Sequence, residues 1–271
     1  MTSKPRILCA FGIDVDAVAG WLGSYGGEDS ASDVSRGLFA GEVGILRLLR
    51  LFEKFQMKTT WFVPGHSLDT FPDEMAQVRD AGHEIGLHGY SHENPTSLSV
   101  EQQKVILDHT FDQITKFWGR PPMGSVAPWW EVSKEGGELL LDKGIIYDHS
   151  FMHRDSQAYY LRIGDDWKKI DYDKHPSTWM EPVQRGETTG MVEIPVNWDL
   201  DDLPPMIGWT TLLTYVSGRP HVLKMLERFI AWVNTHDGVE WVTYAEIADD
   251  FRRRNPAPKG ARMPKGFTPP T

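Results

Sequence analysis

The chain has 271 residues, 40% of them hydrophobic and one of them a cysteine, so it can bury a sizeable core without disulfides. Its formal charge of −10 argues against the broad basic surface that a nucleic-acid partner would need. No segment has the roughly 20 apolar residues of a membrane span and no signal peptide is indicated, so we expect a cytoplasmic protein that binds no membrane.

Apolar runs alternate with helical patterns along the first half of the chain, which predicts a parallel sheet with helices. The first strand is expected over residues 6–13, and the glycine-rich residues 20–44 are expected to form a long functional loop. Helices and strands should then alternate: helix 43–55, strand 58–63, helix 72–81, strand 83–88, helix 100–117, strand 123–127, helix 133–143 and strand 145–147.

In the second half, two strand candidates, residues 159–163 and 192–196, flank a polar insertion. Pro220 begins an amphipathic helix that Gly238 ends, and a last strand at 240–243 precedes a closing helix at 245–253. We therefore predict one domain over residues 1–254. Residues 255–271 are rich in Pro, Gly and Lys and are predicted to be a disordered tail. The pattern itself leaves open whether the sheet is doubly wound or closed into a barrel.

Polar and aromatic residues follow the predicted strands at the points where the strands end. Asp14 and Asp16 end the first strand, His88 and His92 follow the third, residues 128–131 follow the fourth, and Asp148 follows the fifth. In a parallel barrel the carboxyl ends of the strands meet on one face, where the active sites of barrel enzymes are built. The sequence therefore predicts a functional site at that rim.

Two imidazoles and a carboxylate at this rim form a suitable ligand set for zinc. His88, His92 and Asp16 would leave a coordination position open for water or substrate. The same donors also bind iron(II) and other first-row metals. Without Asp16, two hydrogen-bonded loop histidines would be an equally good interpretation of the pair.

Asp14 and Asp16 are two residues apart, so on an extended strand both carboxylates point to the same side. Two adjacent carboxylates are unstable unless a cation or a proton separates them. We therefore expect one carboxylate to bind the metal and the other to take a proton from water. A solvated acidic turn or a helix cap is the alternative interpretation, but it leaves the facing histidines unexplained.

Several segments together resemble one family. They are IDVD at 13–16, AGWLGSYGG at 19–27, GLHGYSH at 86–92, APWW at 127–130 and YDHS at 147–150. In this order they are similar to the motifs of the polysaccharide (NodB-type) deacetylases, and more similar to the branch of peptidoglycan deacetylases and cyclic imide hydrolases. The resemblance covers nearly the whole chain.

The resemblance implies a distorted (β/α) barrel, often with seven strands, with Asp16, His88 and His92 as ligands of Zn²⁺ or another divalent first-row metal. It also implies that Asp14 is the catalytic base. Ordinary packing is an equally good interpretation of each tryptophan taken alone, but an apolar mouth would stack on a sugar ring or a flat imide. The predicted substrate-binding residues are Trp21, Pro128, Trp129, Trp130 and Asp148.

One departure from the family concerns catalysis directly. Relatives carry a further strand that ends in a His-Pro pair, whose histidine is the general acid, just before a segment like SGRPH at 217–221. The only His-Pro pair here is His175-Pro176, which lies in the polar insertion. We therefore predict that one strand–helix segment is missing near residues 207–216, and that the metal site is intact while the acid is impaired or absent.

Three hypotheses follow. The first is a metal-dependent hydrolase of non-peptide carbon–nitrogen amide bonds, which deacetylates N-acetylated amino sugars such as those of peptidoglycan. The second is a cyclic imide hydrolase that acts on small-molecule rings. The third is a catalytically impaired, metal-binding relative. The sequence does not decide whether the chain forms a homo-oligomer.

Overall fold

Strands and helices alternate along the computed structural model, which describes residues 6–27, 29–197 and 218–266. The strands are β1 (Ile7–Cys9), β2 (Gly12–Asp14), β3 (Thr60–Val63), β4 (Glu84–Leu87), β5 (Gly124–Ser125), β6 (Tyr147–Asp148), β7 (Tyr159–Ile163), β8 (Glu187–Glu193) and β9 (Val239–Trp241). The helices are α1 (Ala17–Gly23), α2 (Ala31–Leu38), α3 (Ile45–Lys54), α4 (Gly65–Thr70), α5 (Pro72–Asp80), α6 (Val100–Trp118), α7 (Gly136–Lys143), α8 (Pro220–Val233) and α9 (Tyr244–Arg254).

The main sheet is largely parallel, in the order β2-β3-β4-β5-β6-β8-β7, and only β7 runs antiparallel to its neighbour. A second parallel pair, β1 with β9, continues it because β1 leads directly into β2. The predicted α/β fold with a parallel sheet is therefore confirmed. The sheet is distorted and barrel-like, and among the described strands no pairing joins the edge strand β7 to β9. The segment predicted to be missing, near residues 207–216, lies outside the described residues.

Side chains alternate between the two faces of each strand, and large residues fill one face of the main sheet. Phe62, Tyr147 and Tyr244 form one buried cluster there with Val126 and Val192. A larger core, which includes Trp61, Ile85, Ile114 and Phe52, lies between the other face and the helices. Within the described part of the chain, no helix is both long and apolar enough to span a bilayer.

The prediction of a long loop over residues 20–44 was wrong. The segment contains most of α1, all of α2 and a π-helical turn, Phe39–Gly44. Ser30 caps α2 by accepting the backbone N–H of Asp33 at 3.1 Å. Two of the glycines allow close packing between helices, since a Cβ on Gly41 would lie 2.3 Å from the Phe71 ring and one on Gly37 would lie 2.7 Å from Val18.

The prediction of a disordered tail is also wrong for residues 255–266. Arg262 forms ion pairs with Glu138 and Asp142 on α7, at 2.7 and 2.6 Å, and its carbonyl accepts the N–H of Gly190 on β8. The N–H of Lys265 donates to the Leu141 carbonyl. Composition suggested disorder because the segment has few apolar residues, but backbone and arginine hydrogen bonds fix it instead. Residues 267–271 lie outside the described part.

Candidate metal centre

The carboxyl ends of β2 and β4, the parallel strands on either side of β3, bring three predicted ligands together. Asp16 lies two residues after β2 and immediately before α1, and His88 immediately follows β4. His92 lies on the next turn. The Nε2 atom of His88 lies 3.2 Å from Oδ1 of Asp16, and the Nε2 atom of His92 lies 3.5 Å from Oδ2. One possible ligand atom from each of these three residues lies within 4.8 Å of the other two.

The loop between the two histidines is held in an unusual conformation. Gly89 has φ +65°, and a Cβ there would lie 2.7 Å from the Glu93 carboxylate, so this position requires glycine. Glu93 accepts the backbone N–H groups of Tyr90 and Ser91, which organises the turn. His92 itself has φ +58°, a strained value for a residue with a side chain. These constraints aim both imidazoles at Asp16.

The outer nitrogen of each imidazole has its own partner. Nδ1–H of His88 donates to the Val126 carbonyl at 2.7 Å, and Nδ1 of His92 lies 2.7 Å from Oγ of Ser24. The contact with the Val126 carbonyl places a proton on Nδ1 of His88, whereas the Ser24 hydroxyl can either donate to Nδ1 of His92 or accept from it. The Nε2 atoms of both rings are directed at Asp16. The Tyr25 hydroxyl donates to Oδ2 of Asp16 at 2.5 Å.

This arrangement suits a cation better than it suits a metal-free polar cluster. Oδ1 of Asp16 and Nε2 of His88 are buried, and neither makes a hydrogen bond with a described residue. Two lone pairs that face each other at 3.2 Å repel unless a cation or a proton lies between them. One carboxylate and two imidazoles match the donor set of a catalytic zinc site with an open position.

The charges of the three groups are strongly coupled. Burial opposes a charge on Asp16, but the His92 and His88 rings and the Tyr25 hydroxyl outweigh it and lower the pKa of Asp16. Burial would also lower the pKa of His88, yet the carboxylates of Asp14 and Asp16 raise it to about 9. Burial lowers the pKa of His92 to about 4. These shifts describe an ionised Asp16 beside a charged His88, whose Nε2 proton lies at the position that a bound cation would take.

Asp14 lies next to this group but outside it. Its Oδ2 is 3.9 Å from Nε2 of His88, and its side chain is 32% exposed. It is the last residue of β2, and Asp16 follows two residues later. Both carboxylates lie at one site, but not on one extended strand as the sequence predicted, because Asp16 has the helical angles φ −60° and ψ −43°.

The residues predicted to bind substrate differ in how close they lie to the three candidate ligands and in how exposed they are. The Trp129 ring packs at the metal centre, 5.8 Å from the His92 ring and 5.2 Å from the Tyr25 ring. Trp129 and Trp130 both have positive φ, at 62° and 54°, on a turn that begins at the buried Pro128. Trp21 is buried beneath Tyr25 and is 1% exposed. Contact with substrate stays a prediction for these three tryptophans and Pro128. The partly exposed Trp129 is the best placed of them to make it.

Asp148 is far less accessible than its predicted role in substrate binding suggests. It belongs to β6, where its register partner is Glu193 on β8, and both side chains are completely buried. Because Tyr147 points into the cluster with Phe62 and Tyr244, the next residue, Asp148, points to the opposite face of the sheet. There it lines a largely apolar cavity of about 100 Å³ between α6 and α7.

The Asp148–Glu193 pair predicts a pH-dependent stability. Burial raises the pKa of Asp148 to about 7, and burial together with the Asp148 charge raises the pKa of Glu193 well above its usual value. Raised carboxyl pKa values favour the protonated folded state, so this contribution is complete below about pH 4 and is lost as the pH rises through 7. We expect the free energy of unfolding in urea to fall from pH 5 to pH 8, and to fall less in Asp148→Asn.

A control for this measurement is Asp112→Asn, which changes an exposed carboxylate on α6. It should show the same fall with pH as the wild type. An Asp148→Asn protein that loses as much stability as the wild type over this range would contradict the assignment.

Some residues of the centre were not predicted from the sequence. In the sequence Ser24 and Tyr25 belong only to a segment that resembles the family, and no pattern points to Glu93. Each acts through a hydrogen bond to a ligand or to the ligand loop. The positions of Ser24 and Tyr25 depend on how the chain turns after α1, which has no local sequence signature.

Comparisons with known proteins agree with the geometry. Residues 44–145 match the family model described as polysaccharide deacetylase. The chain is 50% identical to a peptidoglycan deacetylase of Helicobacter pylori over 94% of this chain and 99% of that protein. It is 41% identical to a peptidoglycan deacetylase-like protein of Gibberella zeae over 92% of this chain and 87% of that one.

The fold also matches solved structures. A crystal structure assigned to a polysaccharide deacetylase of Mycobacterium smegmatis superimposes with a TM-score of 0.76 at 25% sequence identity. The match covers 100% of this chain and 96% of that one. The same distorted, barrel-like sheet is therefore common to both.

Proposed function

The chain belongs to the polysaccharide deacetylase family, and on that premise we propose that it is a metal-dependent hydrolase that removes acetyl groups from N-acetylated amino sugars of peptidoglycan. The observation that carries the proposal is the set of facing ligand atoms on Asp16, His88 and His92. The name of the Helicobacter pylori relative supports the choice of peptidoglycan as the substrate.

A divalent cation held by the three ligands would lower the pKa of a bound water and polarise an amide carbonyl. Asp14 is placed to accept the proton of the attacking water, because it is adjacent to the ligand set and its side chain is partly exposed. The low pKa of Asp16 keeps this ligand ionised and available to the cation near neutral pH. Zinc is the proposed metal because of the donor set.

Trp129 is the proposed stacking surface for the sugar ring. It lies against His92 and Tyr25, and the strained turn at Trp129 and Trp130 fixes its orientation. A flat aromatic face binds the apolar face of a pyranose, and it also suits a flat imide ring. Stacking on Trp129 therefore does not separate an amino sugar from a cyclic imide, and the two substrates are distinguished by which of them the protein hydrolyses.

The second part of the proposal is that leaving-group protonation is impaired. His149 donates Nδ1–H to the Ile194 carbonyl, its Nε2 faces the Tyr244 hydroxyl, and burial lowers its pKa to about 4. His221 is exposed at the start of α8, and His175 is exposed in the insertion. None of these three histidines is suited to act as the acid.

Gaps in the alignment with the Helicobacter pylori relative also support a missing general acid. The alignment with the Helicobacter pylori relative has 290 positions but takes in about 255 of these 271 residues, so about 35 positions of that relative have no counterpart here. A deficit of this size matches one strand and one helix. A missing general acid lowers the rate of a reaction that needs it by roughly 10²- to 10⁴-fold.

Substrates with different leaving groups test this proposal. The zinc-loaded protein is expected to hydrolyse 4-nitrophenyl acetate, whose leaving phenolate needs no proton, but to deacetylate an N-acetylglucosamine oligomer slowly. Insertion of a relative's strand–helix segment with its His-Pro pair after residue 206 should accelerate the oligomer reaction by roughly 10²- to 10⁴-fold. The ester reaction should change little.

The matched control is the same insertion with its histidine replaced by glutamine, which should not accelerate the oligomer reaction. Rapid deacetylation of the oligomer by the unmodified chain would contradict the missing acid. A zinc-loaded protein that hydrolyses neither substrate would contradict the hydrolase, and one that opens a succinimide ring without releasing acetate would favour the cyclic imide alternative.

A further inference from the structure

The segment that follows α1 packs directly against the loop that carries His92. A Cβ on Gly23 would lie 1.7 Å from the Ser91 carbonyl oxygen, and a Cβ on Gly20 would lie 2.4 Å from the Tyr25 ring. Backbone atoms cannot move aside at the first of these contacts, so Gly23 is required for the approach. The two glycines thus let Ser24 and Tyr25 reach the ligands.

Tyr25 and Ser24 engage different ligands from this position. The Tyr25 hydroxyl donates to Oδ2 of Asp16 at 2.5 Å, and Oγ of Ser24 lies 2.7 Å from Nδ1 of His92. The Tyr25 ring also packs against the His92 ring at 5.1 Å and against Trp129 at 5.2 Å. Neither Ser24 nor Tyr25 belongs to the ligand group itself.

The two oxygens of Asp16 are consequently unequal. Oδ2 accepts the Tyr25 hydroxyl, whereas Oδ1 is buried, has no hydrogen-bond partner among the described residues and faces Nε2 of His88 at 3.2 Å. A carboxylate with one oxygen held by a donor presents the other oxygen to a cation. Outer partners of this kind orient metal ligands and influence metal affinity.

We propose that Tyr25 and Ser24 are positioning residues for the cation: Tyr25 restricts Asp16 to binding through one oxygen, and Ser24 fixes the ring of His92 with Nε2 directed at the site. This inference rests on the proposed metal-dependent function and specifies how the site obtains its affinity and coordination. It assigns a role to the segment after α1 that goes beyond packing.

The test is Tyr25→Phe in the full-length chain, which removes the hydroxyl and keeps the ring contacts. Zinc affinity, measured by competition with a chromophoric chelator, is expected to fall by roughly 10- to 100-fold. In the cobalt(II)-substituted variant Asp16 can bind through both oxygens, so the coordination number should rise and the visible absorption should weaken. A loss of packing alone would not change this spectrum.

Tyr90→Phe is the matched control, because it also removes a tyrosine–aspartate hydrogen bond, from the Tyr90 hydroxyl to Asp69 at 3.1 Å, within the loop between the two histidines. Its zinc affinity and cobalt spectrum should equal those of the wild type. Ser24→Ala provides an independent variant, with a loss of affinity but no rise in coordination number, if Tyr25→Phe does not fold.

An affinity within about twofold of the wild type in both Tyr25→Phe and Ser24→Ala would overturn the inference, since outer partners normally contribute roughly 10-fold or more. An unchanged cobalt spectrum in Tyr25→Phe would overturn the role of Tyr25. These results would leave the proposed function intact, because the wild type would still bind zinc. A wild-type chain that binds no zinc would overturn both.

Discussion

Asp16→Ala is expected to lose stoichiometric zinc binding and, with it, all metal-dependent hydrolysis. Asp16 supplies the only carboxylate in the described ligand group, and its oxygens lie 3.2 and 3.5 Å from the Nε2 atoms of His88 and His92. Two imidazoles alone do not complete the three-ligand set of a catalytic zinc site. The loss of affinity should exceed the roughly 100-fold upper range for residues that act only through a ligand.

Metal analysis after dialysis, together with calorimetric titration, measures this effect. Asp69→Ala is the control, because Asp69 is an exposed carboxylate on α4 that bonds Tyr90 and Gln113 and is not in the ligand group. It should bind one zinc per chain. An Asp16→Ala protein that also retained one zinc at wild-type affinity would show that the cation site lies elsewhere.

Asp14→Asn is expected to keep zinc binding and to lose hydrolysis. The substitution preserves shape but removes a proton acceptor, and general bases contribute roughly 10²- to 10⁴-fold to a rate. Asp14 lies 3.9 Å from Nε2 of His88 and is not in the ligand group, so the affinity for zinc should change little. The measurement is the rate on 4-nitrophenyl acetate at equal zinc occupancy.

The outcome distinguishes two roles for Asp14. Reduced hydrolysis with full zinc occupancy supports the role of base. A variant that loses zinc would make Asp14 a ligand instead, and one with an unchanged rate would exclude it from the reaction. Asp33→Asn, which alters a carboxylate on α2 outside the centre, should match the wild type in both respects.

The arrangement of the candidate metal centre was predictable because it depends on where strands end. Apolar runs located the ends of β2 and β4, and parallel pairing through β3 then brought Asp16 and His88 to the same rim. A one-residue error in such a boundary decides whether a side chain belongs to the buried strand or to the rim beyond it. The strand predicted at residues 145–147 is β6, Tyr147–Asp148, and for that reason Asp148 lies inside the structure and not at the mouth.

The contacts that hold the ligands were not predictable in the same way. In the sequence, glycines such as Gly37 and Gly41 indicate a loop, whereas in the structure they permit helices to approach Val18 and Phe71 closely. Only the packed structure distinguishes these two uses of glycine. The hydrogen bonds from Tyr25 and Ser24 depend on that packing, so they could not be derived from residue spacing.

A crystal structure of the zinc-loaded protein, with anomalous data collected on both sides of the zinc absorption edge, tests the central claim most directly. We expect one strong anomalous peak at roughly 2.0–2.2 Å from Oδ1 of Asp16 and from Nε2 of His88 and His92. A zinc peak elsewhere, with these three side chains not bound to it, would contradict the account.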